Sequence, residues 1–403
     1  MKLKPNLLKQ ILTTLFCLSA AIACTTKKND DTQTSAEGIV AEAAPWSLLP
    51  FEKADSVNPV LSAGTNTFIC PVLNKTVRWD EKDVFNPAAV VHEGKVYMIF
   101  RAEDTIGKYA GTSRLGLAVS DDGLHFTRQP APVFYPDNDS LKRFEWEGGV
   151  EDPRIVKSED GNYIMTYTGY DGATARLLLA SSKDLVHWTK HGTVLQGKYK
   201  NTWSKSGAIV AGLYKSGEVE PITGFEDSVQ DHQSDLAVAG KNGTVVATRV
   251  DGKYWMYFGD TDLFMATSDD LIHWTPVEED GKLKSVLKPR PGYFDSRLVE
   301  SGPYALLTGD GVVLMYNGMN LEQGGDTTLA SGAYCTGQAL FDKNDPSKLV
   351  DRLEDYFMKP DKPYEIAGQV NQVCFVEGLV YFQDAWYLYY GTADSKIAVA
   401  VKK

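Results

Sequence analysis

Cysteine is scarce, five residues in 403, and no pair of them sits with histidine at metal-ligand spacing. Basic charge is short as well: 41 Lys+Arg stand against 53 Asp+Glu, a net charge of −12 that repels a phosphate backbone and excludes nucleic acid as a partner. There is no glycine-rich phosphate loop and no His/Asp/Glu cluster at metal spacing, so neither a cofactor nor a metal is expected. Helical periodicity is nearly absent beyond the first two dozen residues. What the chain has instead is 35 Gly, 20 Tyr and 8 Trp, within an ordinary 43% hydrophobic composition. Many turns and aromatic-rich strands follow from that balance.

The first residues read as an address. Lys2 and Lys4 precede an apolar stretch from Ile11 to Ala23, too short to span a bilayer but suited to the core of a signal peptide. It ends Ala21-Ile22-Ala23-Cys24, which resembles a bacterial lipobox, so Cys24 is the expected lipidated N-terminus of the mature chain. An ordinary secretory signal with an incidental cysteine is the alternative. The expected organisation is a lipoprotein signal peptide over 1–23, a flexible tether over 24–45 and one folded domain over 46–403. The protein is then periplasmic or on the cell surface, touching the membrane through its lipid alone. With Cys24 acylated, Cys70, Cys335 and Cys374 allow at most one disulfide, and they are expected as buried packing residues.

The body of the chain repeats a grammar: a Gly- or Asp-marked turn, an aromatic run, a second apolar run, then Ser, Asp and an aromatic. Gly94 to Phe100 leads to Ser120-Asp121-Asp122-Gly123-Leu124-His125-Phe126. Gly161 to Tyr167 leads to Ser182-Lys183-Asp184-Leu185-Val186-His187-Trp188, and Gly252 to Phe258 to Ser268-Asp269-Asp270-Leu271-Ile272-His273-Trp274. Weaker copies run from Gly311 to Tyr316 and from Ala385 to Tyr390. Five units about 60 to 90 residues apart fit four-stranded blades with long loops, so the expected fold is all-β, a five-bladed β-propeller, with a β-sandwich as runner-up. His125, His187 and His273 recur at one place in the repeat and are expected to close turns rather than to catalyse.

The units differ where the first strand of each begins: Asn86-Pro87-Ala88-Ala89, Glu151-Asp152-Pro153-Arg154, Ser204-Lys205-Ser206-Gly207, Glu300-Ser301-Gly302-Pro303 and Glu377-Gly378-Leu379. In a propeller the innermost strands face a central channel, so these carboxylates and cations are expected to meet at one mouth of it.

Together with Phe85-Asn86-Pro87, Phe100-Arg101-Ala102, Gly149-Val150-Glu151-Asp152-Pro153-Arg154 and Phe294-Asp295-Ser296, this pattern resembles glycoside hydrolase family 130 over residues 80 to 400. The resemblance implies five-bladed propellers that act on β-mannosides with inversion, either as phosphorylases or as hydrolases. It makes Asp152 the proton donor. An inverting glycosidase also needs a base about 6.5–9.5 Å away, which another blade must supply. Glu300 is the expected base, at a place where phosphorylases of the family tend to carry glycine, with Asp260 sharing or polarising the same water. Asn86, Arg101 and Asp295 are the expected sugar ligands, since amide, guanidinium and carboxylate groups pair with vicinal hydroxyls. Arg114, Arg154 and Lys205 form a second tier. Trp203, Tyr170 and Tyr293 offer ring faces but are not ranked as sites, because most propeller aromatics are core.

A phosphorylase must hold a strongly hydrated dianion with several fixed cations. Where the family's phosphorylases resemble Trp-x-Arg, this chain has Trp188-Thr189-Lys190; near their third-blade His-Arg it has Phe258-Gly259-Asp260; and their Tyr-His-Gly appears as Tyr316-Asn317-Gly318. Cationic positions are lost and an acid is gained, although Lys190 and Lys205 remain. The expected activity is therefore an exo-acting, inverting β-mannosidase on an oligosaccharide or glycan substrate, with β-1,2 linkage implied by the resemblance. A β-mannoside phosphorylase and a non-catalytic glycan-binding lipoprotein are the alternatives. The segment from Tyr214 to Asn242 lacks the repeat and is expected to be a loop covering the pocket, or a surface insertion.

Overall fold

The computed structural model describes residues 44–109, 111–215, 218–220 and 243–403. The leader, Cys24, nearly all of the tether and most of the Tyr214–Asn242 segment lie outside the described residues.

Among the described residues strands account for almost all regular structure, joined by two four-residue α-helices, Lys142–Glu145 and Pro363–Ile366, and one 3-10 turn, Gly197–Tyr199. The all-β expectation holds. Pairing gathers the long strands into five successive antiparallel sets. The first joins Asp83–His92, Lys95–Glu103, Ser113–Ser120 and Thr127–Arg128. The second joins Gly149–Lys157, Tyr163–Tyr170, Ala175–Ser182 and Trp188–Thr193. Ala208–Lys215, Tyr254–Phe258, Phe264–Ser268 and Trp274–Pro276 make the third. In the fourth, Leu298–Ser301 and Ala305–Leu307 share the partner Val312–Met319, followed by Tyr334–Phe341 and Leu349–Arg352. The fifth joins Cys374–Phe382, Ala385–Thr392 and Lys396–Lys402, and its outer place is taken by Glu52–Lys53 from the other end of the chain.

The repeated Ser-x-Asp-x-x-His pattern folds the same way each time. Ser120, Ser182 and Ser268 accept backbone N–H bonds from the turn through their hydroxyls, while Asp122, Asp184 and Asp270 accept the backbone N–H of the histidine and face its Nδ1 at 2.7 Å. The histidines are exposed and close turns, as their repetition implied. Short polar side chains stand in for missing ladder bonds here, which is why the pattern recurs at the same corner of the first three sets.

The first strands of the first, second and fifth sets are buried along nearly their whole length, Cys374–Phe382 completely so. Residues of the first two sets, among them Ala88, Ile99, Leu117, Ile155 and Met165, pack into one cluster. Cys70, Cys335 and Cys374 are buried and free, packing as expected. Leu48 and Gln338 exchange two hydrogen bonds of 2.9 Å, and Trp46 donates to Asp351, so the segment after the tether is stitched to the fourth set.

Candidate active site

The first strands do not run straight. Register shifts fall between Phe85 and Pro87, between Glu151 and Arg154, and between Val376 and Gly378. Asn86 and Asp152 occupy the left-handed region at φ 45° and 49°, and Ser206 does so at 58° just before its strand begins. Pro87 and Pro153 cannot donate to a ladder, so the pairing breaks beside each and the bulge re-aims the preceding side chain. In the fourth set Gly302-Pro303 interrupts the strand directly after Glu300. A non-glycine residue in that conformation costs about 1–2 kcal/mol, and here the hydrogen bonds made by the re-aimed side chains offset it. Gly391 completes the arrangement: a Cβ there would lie 2.1 Å from Asn86 Oδ1.

These devices bring five sets to one polar network. Asp152 Oδ1 accepts from Asn86 Nδ2 at 3.0 Å and from Arg101 Nη1 at 3.1 Å. Arg101 also reaches Glu151 at 3.1 Å and Glu103 at 2.7 Å, donates to Ser113 and lies over the Phe85 ring. Lys205 Nζ stands between the two expected catalytic carboxylates, 3.7 Å from Asp152 Oδ2 and 3.4 Å from Glu300 Oε1. Those oxygens are therefore within about 7 Å of each other, the most that the two contacts permit. Ser206 donates a further hydrogen bond to Glu300 Oε1. Below them Arg154 donates to the carbonyls of Ser301, Gly302 and Asp152 and lies 3.5 Å from Glu377. Both Glu377 carboxyl oxygens and Asn86 Oδ1 are buried without a hydrogen-bond partner.

Burial sets the proton balance. It would raise Asp152, but the charges of Arg101, Lys205 and Arg154 and the Asn86 amide outweigh it and hold that carboxyl well below the usual range. Its neighbour goes the other way: burial, then the Asp152 charge, push Glu151 up to about 7 despite Arg101. Burial also raises Glu300 against Lys205, with Asp260 and Asp152 adding repulsion. Glu377 rises furthest, and Asp394 is pushed up to about 7 by burial and by the Asp152 charge. Lys205 moves upward too, the surrounding carboxylates overcoming its desolvation. Acids that hold and release protons in different pH ranges thus share one hollow, as acid and base chemistry requires.

Of the residues expected from the sequence, Asn86, Arg101, Asp152, Arg154, Lys205 and Glu300 meet in this network, and Asp260 borders it. Asp260 accepts from Trp203 Nε1 at 2.6 Å, and its charge reaches Lys205 and Glu300. Arg154 is a brace on backbone carbonyls rather than a free sugar ligand. Arg114 departs from expectation. It pairs across the ladder with Ala102, so the pleat sends it to the face opposite Arg101, where it is buried on Asp104 at 2.6 Å. Asp295 is fully buried, gripped by Arg290, Arg352 and Tyr316 and not presented to the hollow. Lys190 is tied to Glu145, Asp139 and the Tyr135 carbonyl. Tyr293 lies under Arg290. Glu151 and Glu377 stood among the strand starts expected to converge but were given no role of their own, and Glu103 and Asp394 were not singled out. The missed signal was positional: second strands end at the mouth where first strands begin, so Phe100 to Glu103, Gly259-Asp260 and Gly391 to Asp394 are equivalent places.

Three comparisons bear on this geometry. A family model for glycoside hydrolase family 130, described as beta-1,4-mannooligosaccharide phosphorylase, matches residues 58–219 and 222–403. The 1,2-beta-oligomannan phosphorylase of Thermoanaerobacter sp. strain X514 is 32% identical over 332 residues, covering 80% of this chain and 90% of that protein. A glycosyl hydrolase of solved structure from Bacteroides ovatus is 44% identical with a TM-score of 0.81, over 90% of this chain and 96% of that one. Another solved structure, 42% identical with a TM-score of 0.82 over 91% and 97%, was reported with glycoside hydrolases of this family that target β-1,2 mannosidic linkages in Candida mannan.

Proposed function

The chain belongs to glycoside hydrolase family 130 and is an enzyme of mannosides, and from that premise we propose that it is an inverting, exo-acting β-mannosidase that uses water on β-1,2-linked mannosides. The five antiparallel sets are then the blades of a propeller, with the network at the mouth of its channel. The observation that carries the proposal is Lys205, whose ammonium touches Asp152 and Glu300 from between and so holds two acids from different blades across one hollow. Their separation of at most about 7 Å admits the lower end of the range in which inverting enzymes lodge a water, about 6.5–9.5 Å, and also the roughly 5–5.5 Å of retaining ones, so the inverting course is taken from the family.

Asp152 gives its proton to the departing oxygen, directly or through a sugar hydroxyl. Beside Glu151 it is the ionised member of the pair. A bound sugar displaces the remaining solvent, raises it by desolvation and lets it take up the proton it must donate. Glu300, fixed by Lys205 and Ser206, removes a proton from the attacking water, and Asp260 polarises it from the other side. Asn86 and Arg101 hold the sugar hydroxyls, and Gly391 leaves room for Asn86. No step calls for a cofactor.

A second reading rests on relatives. The Thermoanaerobacter protein is named a phosphorylase, as is the family model, and those names favour phosphate as nucleophile. Water is favoured by the 42% identical structure reported with hydrolases and by charge. Glu103, Glu151, Asp152, Glu300, Glu377 and Asp394 surround three cations, Arg101, Arg154 and Lys205, all engaged by carboxylates or carbonyls. Product analysis on β-1,2-mannobiose with and without phosphate decides between them. Free mannose at equal rates in both conditions supports water; cleavage only with phosphate, yielding mannose 1-phosphate, establishes phosphorolysis. A protein that binds mannosides and cleaves none is a binding module.

A further inference from the structure

Beside the catalytic hollow runs a row of aromatic rings that the cleavage reaction itself does not use. Trp203, two residues before Lys205, is 49% exposed, unusual for a tryptophan on a chain that buries most of its aromatics. Its Nε1 is fixed to Asp260 Oδ2 at 2.6 Å, so the indole is held in place rather than free to rotate. Tyr170 meets it edge-on, 6.3 Å between centroids at 65°, and Tyr109 follows at 6.0 Å from Tyr170, its hydroxyl donating to the Gly172 carbonyl. The edge-on Tyr170–Trp203 pair does not stack face to face, and the Tyr109–Tyr170 pair is tilted at 47°, with Lys108 over one face of Tyr109. Tyr170 pairs with Gly149 at the end of the second set where Glu151 and Asp152 lie, which places the row at the same mouth.

We propose that Trp203, Tyr170 and Tyr109 form a platform for the pyranose rings on the leaving-group side of the scissile bond, and that this platform selects oligomannosides over disaccharides. The inference rests on the mannoside activity proposed above and adds to it a determinant of chain length. Three features point to a saccharide as the occupant. The row is continuous with the hollow through Asp260, whose charge reaches Lys205 and Glu300. A sugar presents apolar C–H faces to an aromatic ring and hydroxyls to its rim. Asp260, at the edge of the Trp203 indole, supplies a charged hydrogen-bonding group on that rim, and the ammonium of Lys108 stands over the Tyr109 ring at 5.1 Å at the far end of the row. Because the indole is pinned before the ligand arrives, little side-chain entropy is lost on stacking.

The test compares wild type, Trp203→Ala and Tyr170→Ala on β-1,2-linked mannobiose, mannotriose and mannotetraose, and on β-mannosyl fluoride, whose leaving group has no ring. Wild type is expected to gain in kcat/KM with chain length. Each variant is expected to lose about tenfold on the tetraose, mainly through KM, while keeping its rate on the fluoride. Tyr170 does not contact Asp260, so a matching loss there separates stacking from disturbance of the hollow. An unchanged chain-length profile in both variants overturns the platform, as does an equal loss on the fluoride, which would assign Trp203 to holding Asp260. If wild type cleaves none of these compounds, the mannosidase reading fails instead, and binding of the same series to the Asp152→Asn protein, read by tryptophan fluorescence, still tests the platform: equal affinity for all lengths overturns it.

Discussion

Replacing Lys205 by methionine probes the arrangement most directly, because one ammonium serves both carboxylates. At 3.4 Å from Glu300 and 3.7 Å from Asp152, Coulomb's law at an effective dielectric near 20 gives about 4–5 kcal/mol for each contact. The Lys205 side chain keeps 19% of its exposure, and solvent and salt reduce the net effect to about 1.5–3 kcal/mol, or about one to two pH units. The sign follows from the charge. A cation favours the ionised form of a neighbouring acid, so its removal raises both carboxyls.

A bell-shaped profile of kcat/KM reports the free enzyme, in which Asp152 is held low and Glu300 is raised, so the acidic limb follows Asp152 and the alkaline limb Glu300, the productive form being the one in which the proton sits on Asp152. Both limbs of Lys205→Met are therefore expected to move to higher pH together, displacing the optimum by about one to two units. Lys205→Arg restores the charge and should return the limbs most of the way. The assay is mannose release from β-1,2-mannobiose across pH 4 to 9, with urea denaturation of each variant to establish folding. Limbs that stay in place, or that move to lower pH in a folded protein, refute the idea that this amine tunes the pair.

Three other outcomes follow. Asp152→Asn should reduce kcat by about 10²–10⁴-fold with little change in mannoside affinity, measured by steady-state kinetics and by fluorescence titration; residual activity within a few-fold of wild type removes Asp152 from the donor role. Glu377 holds its proton to a higher pH in the folded protein than in the unfolded chain, so between about pH 4.5 and that raised value the native state binds the extra proton and stability falls as pH rises, by about 1.4 kcal/mol per pH unit. Glu377→Gln should flatten that decline in urea unfolding at pH 5 and 7.5, and an unchanged slope argues against a buried neutral acid. Cys24→Ser should move the protein from the membrane to the soluble fraction, and unchanged partition sinks the lipid anchor.

Much of this site is legible in the sequence because function breaks the repeat at a fixed place. Asn86, Asp152, Lys205 and Glu300 all fall where the first strand of a unit begins, and the antiparallel sets bring those starts together. The turn histidines are legible for the opposite reason, since each repeats with its aspartate at the same spacing. What composition and spacing do not carry is the direction of a side chain across a pleat or a bulge. Arg114 stood as a second-tier sugar ligand behind Arg101, yet one step of register puts it on the opposite face, in the buried pair with Asp104. Lys190 looked free for an anion until Glu145, from a helix outside the repeat, took it. Glu377 was visible as the start of a strand, but its two unpartnered oxygens depend on what Arg154 does with its other donors, a long-range matter.

The same accounting bears on the choice of nucleophile. A phosphate dianion needs cations whose own partners it can replace without leaving a buried acid exposed to its charge. Arg101 serves three carboxylates, Lys205 two, and Arg154 three backbone carbonyls. Drawing any of them towards an anion strips Asp152, Glu151 or Glu300 of its counterion in a buried site, and those acids then repel the dianion unless each takes a proton. A neutral sugar and a water molecule impose no such demand. On the mannosidase reading proposed above they require that Asp152 gain a proton when the sugar excludes solvent and that Lys205 keep Glu300 able to take one, against the burial that raises it.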